Sequence, residues 1–214
     1  VTMAIEVFDV RHDIKNLFVS PQIRARFLQM KPGETSQMHS HDLGHEVFLI
    51  LMGRALFEIG EDSAELGPGQ LCIATTDQPH SVTVLGDDPM TMYLSVTPHV
   101  QPTHTFLDRD GERQPTQFMP SAAYDTDTDT RTPMEELVNR FVDMSDEFAK
   151  IAQTAAEEQR MTGARLTRAL SSGNMDAADS QREAIWFALY RVYHKLEEVT
   201  EIWNAVAPRA GRVK

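Results

Sequence analysis

The 214-residue chain is long enough for one domain with a substantial extension or for two small domains, taking about 150 residues per domain as a soft prior. Its 20 Lys and Arg against 32 Asp and Glu give a formal charge of -12, which argues against nucleic acid or an anionic membrane surface as a partner. Cys72 is the single cysteine, so an intramolecular disulfide is excluded, and no stretch approaches the ~20 apolar residues of a membrane-spanning helix.

The first residues lack a charged region followed by an apolar one, so no secretory signal is expected and a cytoplasmic location is the simplest reading. Residues 4–10 and 23–30 carry β-branched and aromatic residues at strand density, with Val19-Ser20-Pro21-Gln22 as punctuation between them. Residues 33–53 follow and hold most of the chemistry. In a strand His39 and His41 share a face, and Gln37 shares it with them as a contact to the site or to a ligand. Asp42-Leu43-Gly44 reads as a turn. The apolar run after it places Glu46, Phe48, Ile50 and Met52 on one face, so a carboxylate opens an otherwise apolar row. A buried carboxylate beside paired imidazoles is costly unless something charged binds them, and a divalent metal is the commonest such species.

His45 points away from that face in a regular strand, but the preceding turn could rotate it inward, so it is a pocket candidate. Val47, Leu49 and Leu51 alternate with the inward set, so the outer face of this strand needs a cover, from a second subunit or from the helices described below. Further strands are expected at 55–59, at 70–74 with Cys72 as a small core residue, at 80–84 and at 90–96. Gly60-Glu61-Asp62, Leu66-Gly67-Pro68-Gly69 and Gly86-Asp87-Asp88-Pro89 supply turns. Many short strands with such turns predict a sandwich or small barrel.

Residues 98–131 change character, with several prolines and the tract Asp125-Thr126-Asp127-Thr128-Asp129, and read as a loop over the barrel followed by a solvated acidic linker at 121–131. His99 and His104 in this loop read as solvated, with a place at the barrel mouth as the alternative. From Thr132 the apolar period lengthens. Thr132-Pro133-Met134-Glu135 predicts a capped helix start. Met134, Leu137, Phe141, Met144, Phe148, Ile151 and Ala155 form one heptad stripe, and Ile185, Leu189, Val192, Leu196, Val199, Trp203 and Val206 form another. Gly163 is the weak point of the first helix, and the short connection at Ser171-Ser172-Gly173-Asn174 predicts an antiparallel hairpin over 132–207. Val138, Val142, Trp186 and Tyr193 lie beside the stripes and point to further partners.

Residues 33–53 resemble the first motif of the cupin superfamily, G-x5-H-x-H-x3-4-E-x6-G, at every fixed position: Gly33, His39, His41, Glu46 and Gly53. The second motif, G-x5-P-x-G-x2-H-x3-N, is met by Gly69 and His80 but not by Thr75, Asp77 and Val84. The resemblance covers roughly residues 5–97. It implies a jelly-roll barrel within 1–120, ahead of the helical hairpin, and a mainly β fold with an α extension. It also implies that His39, His41, Glu46 and His80 ligate one metal, and three imidazoles with a carboxylate suit Fe, Mn, Ni, Cu or Zn. Phe48, Ile50, Met52, Phe57 and Ile59 then supply apolar walls that favour a ligand with a hydrophobic body. The expected function is that of a metal-dependent oxygenase or lyase acting on a small carboxylate or hydroxylated compound, in a homodimer or higher even oligomer. The alternative is a non-catalytic binding or sensing module that signals through the hairpin.

Overall fold

The computed structural model describes residues 5–210. Its strands are β1 (Asn16–Val19), β2 (Arg24–Met30), β3 (His39–Ser40), β4 (His45–Met52), β5 (Arg54–Ile59), β6 (Asp62–Leu66), β7 (Leu71–Ala74), β8 (His80–Leu85), β9 (Met90–Thr97) and β10 (Thr105–Phe106). Two long helices follow, α1 (Met134–Ser171) and α2 (Met175–Ala210). The chain divides into two compact units, one spanning Thr130–Val206 and the other the rest.

In the first unit the strands pair antiparallel into two five-stranded sheets, ordered β1-β2-β9-β4-β7 and β10-β3-β8-β5-β6, the layout of a jelly roll. Their inner faces close on a core that includes Phe48, Ile50, Phe57, Val82, Met90 and Met92. Each such side chain contributes about 1.5–3 kcal/mol by leaving water. The period-2 reading of β4 holds for Glu46, Phe48 and Ile50, all buried, but Met52 is 41% exposed. The cause is a bulge in the pairing with β9 between Ile50 and Met52, which breaks the alternation at the strand end. Gly53 makes the next turn at φ 74°, and a Cβ there would meet Pro89 O at 2.6 Å, so only glycine fits.

Local pattern misleads at four places. Residue 4 lies outside the described residues, and 5–10 form no strand, with Ile5 and Val7 both exposed. The first strand is β1, which takes in Val19. In the second sheet, β6 is unexpected because Asp62, Ser63, Ala64 and Glu65 are all exposed and show no apolar alternation; its pairing with β5 makes it a strand. β10 likewise lies in the stretch read as loop and exists through its pairing with β3. Within the stretch read as acidic linker, Ser121–Tyr124 form a 3-10 turn and Tyr124 is buried.

The second unit is the helical pair. α1 begins one residue after the expected first-turn proline, with Pro133 in the capping position and no side-chain capping bond; Glu135 and Glu136 in its first turn favour the helix dipole instead. It runs unbroken through Gly163. Gly173, at φ 72°, closes it by donating its N–H to Leu170 O, and Asn174 caps α2 by accepting the Ala177 N–H at 3.1 Å. The antiparallel pairing shows in Phe141 against Trp203, with ring centroids 5.6 Å apart, in Glu147 with Lys195 at 2.9 Å and in the ion pair of Glu158 with Arg191.

The seam on α1 includes Leu137 and Ala155 as expected. On α2 it includes Ile185, Ala188, Val192, Lys195, Val199, Ile202, Trp203 and Val206, so Leu189 and Leu196 fall outside it, 49% and 41% exposed. Lys195 occupies the seam because its stem packs along it while its ammonium reaches Glu147 and Glu198. Among the described residues no helix is long and apolar enough to cross a membrane.

Candidate metal centre

Four side chains converge between the two sheets. His39 and His80 are directly opposite in the β3–β8 pair of one sheet, His41 follows β3, and Glu46 enters from β4 of the facing sheet. One ligand atom from each of the four lies within 4.8 Å of every other. Glu46 Oε2 is 2.8 Å from His41 Nε2, 2.9 Å from His80 Nε2 and 3.8 Å from His39 Nε2. Each imidazole is held from behind by a main-chain carbonyl, which can only accept. His39 Nδ1 donates to Gln37 O at 2.8 Å, His80 Nδ1 to Gln78 O at 2.9 Å and His41 Nδ1 to Thr103 O. All three Nε2 atoms are thereby aimed at the carboxylate, the arrangement in which histidines ligate metals.

Burial pushes the Glu46 carboxyl up, but the imidazoles of His39, His41 and His80 outweigh it and hold the group well below the usual carboxylate range. The donor set of three neutral nitrogens and one anionic oxygen fits a divalent transition metal. His41, Glu46 and His80 are sealed, while the His39 side chain keeps 13% exposure, so the cluster meets solvent on the His39 side.

Of the other candidates, Gln37 contributes through its backbone carbonyl, its side chain being exposed. Phe48 borders the cluster, its ring 5.7 Å from that of His80, whereas Phe57 packs behind it at 5.2 Å and Ile50 is fully buried in the core, so these two are packing rather than wall. His45 stays on the outer side. It is exposed, and its Nδ1 accepts the Thr76 N–H at 3.1 Å, as strand alternation requires.

The loop histidines are not solvated. The His104 ring lies 5.0 Å from His39 and 4.9 Å from His41, stacked on Phe106, and burial together with His39, Arg24 and His41 keeps its pKa well below the ordinary imidazole value. Its Nδ1 is 2.8 Å from Thr103 Oγ1, which is 2.8 Å from the Tyr124 hydroxyl. His99 is buried against Tyr124, with ring centroids 4.7 Å apart. Pairing of β10 with β3 carries this loop onto the barrel, a long-range fact that composition does not show. Cys72 sits half-buried against the core, and burial, with the Glu46 charge second, raises its thiol to about 11.

Sequence reasoning misses Arg24, Arg26, Thr103 and Tyr124. The two arginines do leave a signal, since the strand expected at 23–30 places them on one face with Leu28 and Met30.

Residues 26–97 match the family model described as the cupin domain. This domain is a cupin. In the cupin's second motif Asp77, standing where glycine is usual, adopts φ 61°, the left-handed conformation that glycine favours, and its N–H donates to His41 O at 2.9 Å. The motif therefore keeps its turn with a different residue. No curated protein matches the sequence.

Solved structures similar to the cupin include a conserved double-stranded β-helix protein from Klebsiella pneumoniae, at 17% identity over 50% of this chain and 100% of that one, TM-score 0.45. Others are TT1209 from Thermus thermophilus, at 22% identity over 44% and 98%, TM-score 0.42, and the DMSP lyase DddQ from Ruegeria pomeroyi, at 24% over 44% and 47%, TM-score 0.39.

Proposed function

We propose that the cupin centre holds one divalent transition metal through His39, His41, Glu46 and His80, and that the protein is a metal-dependent enzyme of oxygenase or lyase type. Its substrate is a small carboxylate or hydroxylated organic compound. The observation that carries this reading is the convergence of three Nε2 atoms, each imidazole locked by a backbone carbonyl, on one buried carboxylate. Four protein donors leave positions for a ligand, and a bound ion of this kind supplies Lewis acidity and, for iron or copper, redox chemistry. The chain's own residues do the rest. His104 lies beside His39 and His41, where it can take or give a proton at a bound ligand, with its Nδ1 hydrogen-bonded to Thr103 Oγ1. Phe48 excludes water from one side.

Reconstitution with Fe(II), Mn(II), Ni(II), Cu(II) and Zn(II) in turn, followed by a screen of carboxylates and phenols for oxygen uptake and product mass, tests this reading. Turnover with one metal form is expected. Tight ligand binding without turnover in any form would favour the second reading, a small-molecule sensor acting through the hairpin. One observation supports that alternative. Trp186, Leu189, Tyr190, Tyr193 and Leu196 leave an exposed apolar stripe along α2, outside its seam. In either case we assign that stripe to a second copy of the chain, which gives a homodimer or a higher even assembly, since two helices bury only one seam between them.

A further inference from the structure

β2 turns Arg24, Arg26, Leu28 and Met30 to one side, and Met30 belongs to the barrel core with Leu28 packed against it. Two guanidinium groups therefore follow the inward row where a core strand ordinarily continues apolar. The register Arg24↔Val96 and Glu46↔Val96 puts Arg24 on the same rung as the metal-centre carboxylate. Arg24 is 3% exposed, and its guanidinium carbon lies 5.3 Å from the Tyr124 ring centre. Glu46 Oε1 is 4.0 Å from Nη2, beyond hydrogen-bond distance, while Glu46 Oε2 is committed to His41 and His80. Nε of Arg24 and Nε of Arg26 are both sealed from solvent without a partner. Asp125, the other carboxylate acting on Arg26, is exposed and accepts two bonds from Asn16.

A buried guanidinium whose Nε finds no acceptor is costly, and such groups are normally paired with carboxylate or phosphate. Arg24 and Arg26 already outweigh the one buried carboxylate beside them, and a divalent ion would widen the excess. That excess of buried positive charge favours an anion here. Arg's planar fork matches a carboxylate bidentately, and an organic acid can present a second oxygen donor to the imidazole cluster on the far side of Glu46.

We propose that Arg24, backed by Arg26, is the anchor of a carboxylate subsite beside the metal centre, so that the ligand of this site is an organic acid. The inference rests on the proposed reading of the centre as a ligand site and narrows its ligand from a carboxylate or hydroxylated compound to the former.

Glycolate, lactate and mandelate, each compared with its own amide by titration calorimetry, are the probes, with metal content measured in parallel. At least one acid is expected to bind wild type about tenfold tighter than its amide, and Arg24→Gln to erase that preference with metal content unchanged. The metal-free protein is expected to keep the preference. Absence of any acid preference in wild type, its survival in Arg24→Gln, or its loss on metal removal would each overturn the proposal, the last by showing that the ion holds the carboxylate. If Arg24→Gln is unfolded by circular dichroism, Arg24→Lys decides instead. It retains the charge without the fork, and an undiminished preference there counts against Arg24. Failure of the proposed enzymatic reading appears separately, as absence of bound metal or of turnover while the acid preference of the metal-free protein stands.

Discussion

At the scale of single residues the four-donor cluster and the buried histidines behave in distinct ways. His39 and His41 supply two of the donors, so replacing both with alanine leaves one imidazole and one carboxylate. Wild type is expected to purify with about one equivalent of transition metal and the double variant with almost none; stoichiometric metal in the variant would defeat the ligand assignment. His99 answers to acid instead. Burial, then the neighbouring Arg24 and His41, lower its pKa from 6.5 to about 3, so the unfolded chain takes up a proton that the folded chain refuses across that window. Stability from this residue is complete above pH 6.5 and falls as pH drops toward 3. His99→Gln is expected to flatten the decline in unfolding midpoint between pH 7 and 5, read by denaturant titration. A slope equal to wild type would show that His99 does not carry the dependence.

At the scale of elements, turns and helices make different demands on glycine. Gly53 joins β4 to β5 in the left-handed region, with Pro89 O and Met90 Cα where a Cβ would sit, at 2.6 and 2.8 Å. Gly53→Ala is expected to cost at least about 1–3 kcal/mol from backbone strain alone, because the neighbours are main-chain atoms that cannot swing aside. Gly163 is the converse. Nothing lies within 4 Å of its would-be Cβ and it sits inside α1, so Gly163→Ala should stabilise by about 1 kcal/mol through helix propensity. Thermal unfolding of both variants gives opposite shifts, and a Gly163→Ala midpoint below wild type would mean that the glycine serves a contact not seen in the helix pair.

At the scale of the whole molecule the proposed assembly turns on the apolar stripe of α2. Trp186 and Tyr193 are 57% and 61% exposed and lie off the seam, so charging them leaves the helix pair intact. The double substitution Trp186→Glu, Tyr193→Glu is expected to convert a dimer or larger even assembly to monomer by light scattering, with the helical circular dichroism retained. An unchanged mass would remove the stripe from the interface.

Much of the centre is legible in the order of the residues. His39, His41, Glu46, Phe48 and Ile50 declare their common facing because strand alternation is local, and Gly173 declares the helix end because a left-handed residue closes α1 there. Local rules do not say which faces meet. Pairing of β10 with β3 brings His104 to the cluster while leaving His45 outside, and the β2–β9–β4 register carries Arg24 to Glu46, far from it along the chain. The helix seam shows the same limit. Leu189 and Leu196 satisfy a heptad as well as Ala188 and Lys195 do, and it is packing against α1 that buries Ala188 and leaves Leu189 and Leu196 exposed. The sequence by itself determined the faces of its strands and the ends of its helices, since alternation and capping act over a few residues. The tertiary structure decided which residues gather around the four-donor cluster, since that depends on backbone pairing between segments that nothing in their own pattern joins.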